Sequence, residues 1–189
     1  MYVKQSIEKK LSQSAVCLLY EDQIQYTDQE IAALMIGNGI LGGLPTSLLF
    51  QVIREQESLC YTIGSENFVY DGLIQIGYEC DRKQIDRVQT LVAKQIKRIQ
   101  DGDFSDALFD LTKRMYKNSW YSSRDFASSM IWDDYRSFVL GYDDSIESMC
   151  KRLDEVTKKD VMDAFKKLEL KVEYKARQHR LFLKVPSLI

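Results

Sequence analysis

The stretch LGGLPTSLLFQVIREQESLCY, Leu41–Tyr61, sets a glycine pair, an apolar helix and a strand in immediate succession. Gly42 and Gly43 relax the backbone for a turn, and Pro45 pre-sets the first residues of a helix. Leu48, Leu49, Val52 and Ile53 recur at helical spacing and give that helix one apolar face, with Arg54 beside it near the helix end. After Ser58 the chain alternates as a strand does, with Leu59, Tyr61 and Ile63 on one side and Cys60 and Thr62 on the other. A guanidinium and a phenol are thereby held at a fixed offset beside a loosened backbone. Taken singly, each feature has an ordinary reading. Glycine pairs mark turns, a helix Arg pairs with a surface acid such as Glu55 or Glu57, and a Tyr rests its ring on the core with its hydroxyl at the edge. Their joint spacing is what points to a site.

Outward from this stretch, strands and helices alternate without a linker. Ala15 to Tyr20 is a continuous apolar run suited to a strand buried on both faces, and Thr27-x-x-Glu30 is a capping box that opens a helix through Ile31, Leu34 and Met35. Phe68–Tyr70 and Leu73–Cys80 read as strands of a hairpin turned at Asp71-Gly72, with Ile74, Ile76, Tyr78 and Cys80 on one face. Asp81-x-x-Gln84 caps a helix whose Ile85, Val88, Val92, Ile96 and Ile99 share a stripe, and Gly102 closes it. A second helical region runs from Ser105 toward Leu140, broken near Ser122 and Ser123. Asp144-x-x-Glu147 and Thr157-x-x-Asp160 open two shorter helices, the latter with Val161, Ala164, Phe165 and Leu168 inward. Val172, Tyr174 and Ala176, then Leu181, Leu183 and Val185, are closing strands. The aromatic cluster Trp120, Tyr121, Phe126, Trp132, Tyr135 and Phe138 reads as core and interdomain packing. Hairpins and long helices together predict an α+β fold, a mostly antiparallel sheet covered on one face by several helices, in a single domain over 1–189.

Composition narrows the function. With 45% apolar and 29% charged residues over 189 positions, the chain can bury a core as one domain. A net charge of −2 with interleaved signs argues against a nucleic-acid footprint. No apolar run approaches the roughly 20 residues of a membrane span, and no signal core precedes Ala15. Cys17, Cys60, Cys80 and Cys150 show no Cys-x-x-Cys spacing and read as reduced thiols, so the cytoplasm is the expected compartment.

The Leu-Gly-Gly motif, the helix ending in Arg54-Glu55 and Tyr61 seven residues after the Arg resemble the second-half domain of the insulinase, pitrilysin and mitochondrial-processing-peptidase family of zinc peptidases. The likeness extends along nearly the whole chain, through Gln13-Ser14 before an apolar strand to Val156–Val161 at the start of a late helix. Two positions depart from it: Leu48 stands where the family often has Arg, and Ser58-Leu59-Cys60 replaces a more usual Gly-Leu-Ala.

The resemblance implies that the chain is half of a two-domain protein. It assigns Arg54 and Tyr61 to catalysis, and Gly42, Gly43, Thr46 and Ser47 to binding a peptide substrate. Zinc in these enzymes is held by an inverted His-x-x-Glu-His motif. This chain has one histidine, His179, in a basic stretch without a ligand partner at helical spacing, so no metal is expected here. Zinc is expected in a homologous partner domain or subunit, with self-association as the other possible partnership. The alternative reading is a catalytically inactive structural or interaction subunit of the same fold. A third, an anion site at the glycine turn, lacks the Lys-Ser/Thr that a phosphate loop needs after Gly43.

Overall fold

The computed structural model describes residues 1–179. In chain order the elements are β1 (Val3–Lys9), β2 (Ser14–Glu21), α1 (Ile31–Asn38), β3 (Cys60–Phe68), β4 (Leu73–Cys80), α2 (Ile85–Gln100), α3 (Asp106–Ser123), α4 (Ala127–Leu140), α5 (Ile146–Glu155), α6 (Lys158–Lys166) and β5 (Glu169–Gln178). Between α1 and β3 the chain winds as two π-helical segments, Gly39–Gly43 and Leu49–Gln56. The strands form one sheet in the order β1-β5-β2-β4-β3, antiparallel except for the β1–β5 pair. The α+β architecture predicted from the sequence is the observed one. The closing strand expected at Leu181, Leu183 and Val185 lies outside the described residues.

The central strand β2 differs from its prediction. Val16 and Leu18 are buried while Cys17 and Leu19 are only half-buried, because helices cover one face of the sheet and not the other. Ile74, Ile76, Tyr78 and Cys80 of β4 fall on the covered face as their alternation requires. Edge strand β1 was not foreseen. Its residues are nearly all exposed, so burial imposes no apolar alternation on VKQSIEK.

Helix α1 is buried on nearly every side and is the hub of the helical layer, touching α6, α5 and α3. Gly37 lets it meet α6: a Cβ there would stand 2.1 Å from the Phe165 ring. The capping box at Thr27 is not formed, because Gln25–Asp28 closes as a turn and the helix starts at Ile31 without a side-chain cap. Asp81 likewise caps nothing and precedes a 3₁₀ turn, Arg82–Gln84. The box at Thr157 and Asp160 is formed in both directions, at 2.8 and 3.3 Å. One helix starts a residue later than expected, with Ser145 in the capping position. Gly102, at φ +75°, ends α2 as predicted, and the Asp103 amide reaches back to the Arg98 carbonyl at 2.8 Å.

Asp144 is buried instead of capping. It accepts hydrogen bonds from the Tyr26 hydroxyl and from Arg136 Nε at 2.9 Å. That contact anchors α4, which contributes no buried residue of its own. Phe126, Trp132, Tyr135 and Phe138 are exposed, so the aromatic cluster is not core; Trp120 alone of the named set packs against the core with its ring part-buried.

Candidate functional site

The Gly-Gly pair is not a free turn. Residues Gly39–Gly43 continue α1 as a π-helical segment, and Gly42 lies against β3: a Cβ there would stand 2.7 Å from the Ser65 backbone nitrogen and 2.8 Å from Leu49 Cδ1. The contact is keyed by Asn38, buried at the end of α1, whose Oδ1 accepts from Ser65 Oγ at 2.6 Å. Gly42 therefore serves close packing of helix on strand, and Gly43, next along, is exposed.

The chain then turns through Leu44–Ser47, closed by the Ser47 amide on the Leu44 carbonyl at 3.0 Å, with Pro45 at the second position of that turn. Thr46 is half-buried and its hydroxyl lies 3.8 Å from Met115 Sδ; Ser47 is buried. Gln51 Nε2 donates to the Thr46 carbonyl at 3.1 Å. Thr46, Leu48, Gln51, Phe104, Leu108 and Leu111 border a cavity of about 400 Å³ beside this turn.

Segment Leu49–Gln56 buries Leu49 and Ile53 as its apolar spacing predicts and presents Arg54 to solvent in its last turn. The guanidinium rests over the Phe50 ring at 4.4 Å from the centroid. Glu57 pairs with Arg87 of α2 and not with Arg54. Ser58 then takes a left-handed conformation, φ +52°, which redirects the backbone, and the Leu59 amide bonds the Ile53 carbonyl at 3.0 Å.

β3 opens with a bulge. Cys60 pairs with Cys80 and Thr62 with Glu79, so Tyr61 is the extra residue. The alternation predicted for Leu59–Ile63 is broken accordingly. Cys60 is buried, Tyr61 and Thr62 both face out, and Ile63 returns to the covered side opposite Tyr78. Tyr61 is 72% exposed, on the outer side with Thr62, as the bulge dictates. No single-sequence signal marks a bulge within a strand; Ser58 in place of a glycine gave no hint of the left-handed turn either.

Two exposed donors, the Arg54 guanidinium and the Tyr61 phenol, thus flank the Ser58 turn along the chain. Such a pair suits carbonyl or carboxylate oxygens. Among the described residues no group of three or more His, Cys, Asp or Glu side chains is placed to hold a metal ion. His179 is exposed, with its backbone amide on the Lys9 carbonyl at 2.8 Å. The described residues therefore supply no ligand set for zinc.

Known proteins share this fold. The family described as the peptidase M16 inactive domain matches residues 2–116. The chain is 29% identical over 167 residues to the probable inactive metalloprotease YmfF of Bacillus subtilis (strain 168), covering 88% of this chain and 39% of that protein. A conserved protein from Enterococcus faecalis V583 superposes with a TM-score of 0.89 at 26% identity, over 95% of this chain and 43% of that one. The inactive peptidase domain of a putative zinc protease from Bordetella parapertussis superposes at 0.75 and 12% identity, over 94% and 99% of the two chains, a likeness of fold alone. The chain spans about two fifths of the length of the curated relatives it matches. With the family matched over more than half its length, on the sheet and helices that carry Gly42, Arg54 and Tyr61, this chain belongs to the peptidase M16 inactive-domain family.

Proposed function

We propose that the chain is the non-zinc-binding half of a zinc-metallopeptidase-like protein and lends Arg54 and Tyr61 to a peptide site completed by a homologous domain or subunit. The observation that carries this reading is the bulge. It turns Tyr61 out to solvent, and Arg54, on the other side of the Ser58 turn in the chain, is exposed as well, so neither side chain serves the core. In the assembly the Tyr61 hydroxyl donates a hydrogen bond to the carbonyl oxygen of the peptide under attack, and Arg54 holds the substrate backbone. A preorganised donor of this kind is worth on the order of a hundredfold to a thousandfold in rate. Gly43 and Thr46, at the rim of the turn, are the remaining substrate contacts; Gly42 and Ser47 act behind them, through packing.

A second reading, a structural or interaction subunit, has support of its own in α4. Ile131, Trp132, Tyr135, Phe138 and Val139 recur at helical spacing on that helix and are all more than half exposed. That stripe suits a covering partner whatever the chemistry.

One reconstitution tests the first reading. The chain is combined with its zinc-bearing companion, and peptide cleavage is measured with and without chelator. Chelator-sensitive cleavage that requires both components is the expected result. Full cleavage by the companion alone would leave the interaction role.

A further inference from the structure

We propose that Cys60 and Cys80 are a redox-active cross-strand dithiol, which closes to an intramolecular disulfide when a low-molecular-weight disulfide of the oxidised-glutathione class is supplied. The inference does not depend on the peptide reading. The two residues are register partners across β3 and β4, and both lie on the helix-covered face, Cys80 fully buried and Cys60 7% exposed. Directly opposed residues of an antiparallel pair stand about 4.5–5.5 Å apart at Cα, inside the roughly 4.4–6.8 Å that disulfides span. Closure therefore needs no movement of the sheet. The two thiols influence each other: pairing with its neighbour pushes the Cys60 thiol up and the Cys80 thiol down from their ordinary values, with burial raising Cys60 further.

The other cysteines cannot compete. Cys17 pairs with Gly77 at an odd position of β2, on the opposite face, and Cys150 lies on α5. Access comes from the strand end. Cys60 is the first residue of β3, preceded by the left-handed Ser58 and followed by the bulged Tyr61, so opening this end disturbs little of the ladder. With the strand end open, the Cys80 thiolate, the more readily formed of the two, attacks one sulfur of the oxidant, forming a mixed disulfide and expelling one small thiolate. Cys60, deprotonated, then attacks the Cys80 sulfur, forms the Cys60–Cys80 bond and expels the second small thiolate. Two electrons and the two thiol protons pass to the oxidant, which leaves as two thiols. The bond staples the start of β3 to the end of β4 and rigidifies the backbone from Ser58 to Thr62.

The reduced chain is equilibrated with reduced and oxidised glutathione at graded ratios, its free thiols are alkylated after acid quench, and the intact mass and peptide map are read. The expected product is two hydrogens lighter than the reduced chain, has two alkylatable thiols and yields a Cys60–Cys80 linked peptide. The same Cys60–Cys80 linked peptide forms in Cys17→Ser and Cys150→Ser, each of which keeps one alkylatable thiol. Cys60→Ala and Cys80→Ala give at most a mixed adduct, and amide exchange at residues 58–62 slows on oxidation of the wild type. Four free thiols in the folded wild type at every ratio, a bond to Cys17 or Cys150, bonds only between chains, or closure only in denaturant would overturn the proposal.

Discussion

At Gly42 and Ser58 the backbone conformation is set by contacts that a side chain either obstructs or strains. Gly42→Ala places a methyl 2.7 Å from the Ser65 nitrogen and cannot be relieved by a rotamer change, since the opposing atom is backbone. We expect a loss of about 1–3 kcal/mol, read as a lower denaturant midpoint at unchanged slope. Ser58→Gly removes the left-handed penalty carried by a non-glycine residue at φ +52° and should raise stability by about 1 kcal/mol in the same assay. The sequence showed the glycine pair and the Arg54–Tyr61 spacing. What it could not show was that Gly42 meets a strand more than twenty positions on, at Ser65. That requirement comes from tertiary contact, and a glycine needed for close packing looks the same in one sequence as a glycine needed for a turn.

Among the elements, those with a one-sided apolar pattern were readable. Helix α2 shows its stripe because one face packs on the core, and β4 alternates because its other face is open. Two kinds of element escaped. β1 is an exposed edge with nothing to bury, and the β3 bulge shifts register without any residue preference to announce it. α4 misled in a different way: its aromatic residues form a stripe that faces solvent, held by polar contacts beneath. Arg136→Ala leaves the buried Asp144 carboxylate with the Tyr26 hydroxyl alone and should cost on the order of 2 kcal/mol, with faster amide exchange along α4. Phe138→Ser, at a side chain 84% exposed, should leave the isolated domain's melting temperature unchanged while weakening association with a covering partner.

At the scale of the whole molecule, the buried carboxylate most depressed on folding is in β5. Glu173 is buried under α2, and burial by itself would raise its carboxyl. The ammonium groups of Lys175 and Lys4, paired with Oε1, and hydrogen bonds from Gln89 and Tyr2 to Oε2 outweigh that and hold the pKa at about 2. A depressed carboxylate contributes stability that is present above its unfolded pKa and lost as pH falls through the folded one. The window therefore runs from about 4.5 down to about 2. Denaturant melts across that range should show wild type losing its advantage over Glu173→Gln as pH falls, with the gap closing near pH 2; a constant gap would mean the network is held by packing and not by charge. The same sheet presents Tyr61 at its far edge, opposite β1, so the two regions can be perturbed independently.

Whether the Tyr61 phenol and the Arg54 guanidinium, flanking Ser58, serve peptide cleavage in a larger assembly turns on one hydroxyl, that of Tyr61. Steady-state kinetics of Tyr61→Phe in the reconstituted or full-length protein, run beside thermal melts, isolates it. We predict kcat lowered at least tenfold with KM little changed and an unshifted melt, since a hydroxyl aimed at the developing oxyanion acts in the transition state and touches no core residue. Wild-type kcat in Tyr61→Phe would exclude that hydroxyl from catalysis and leave the chain a structural partner.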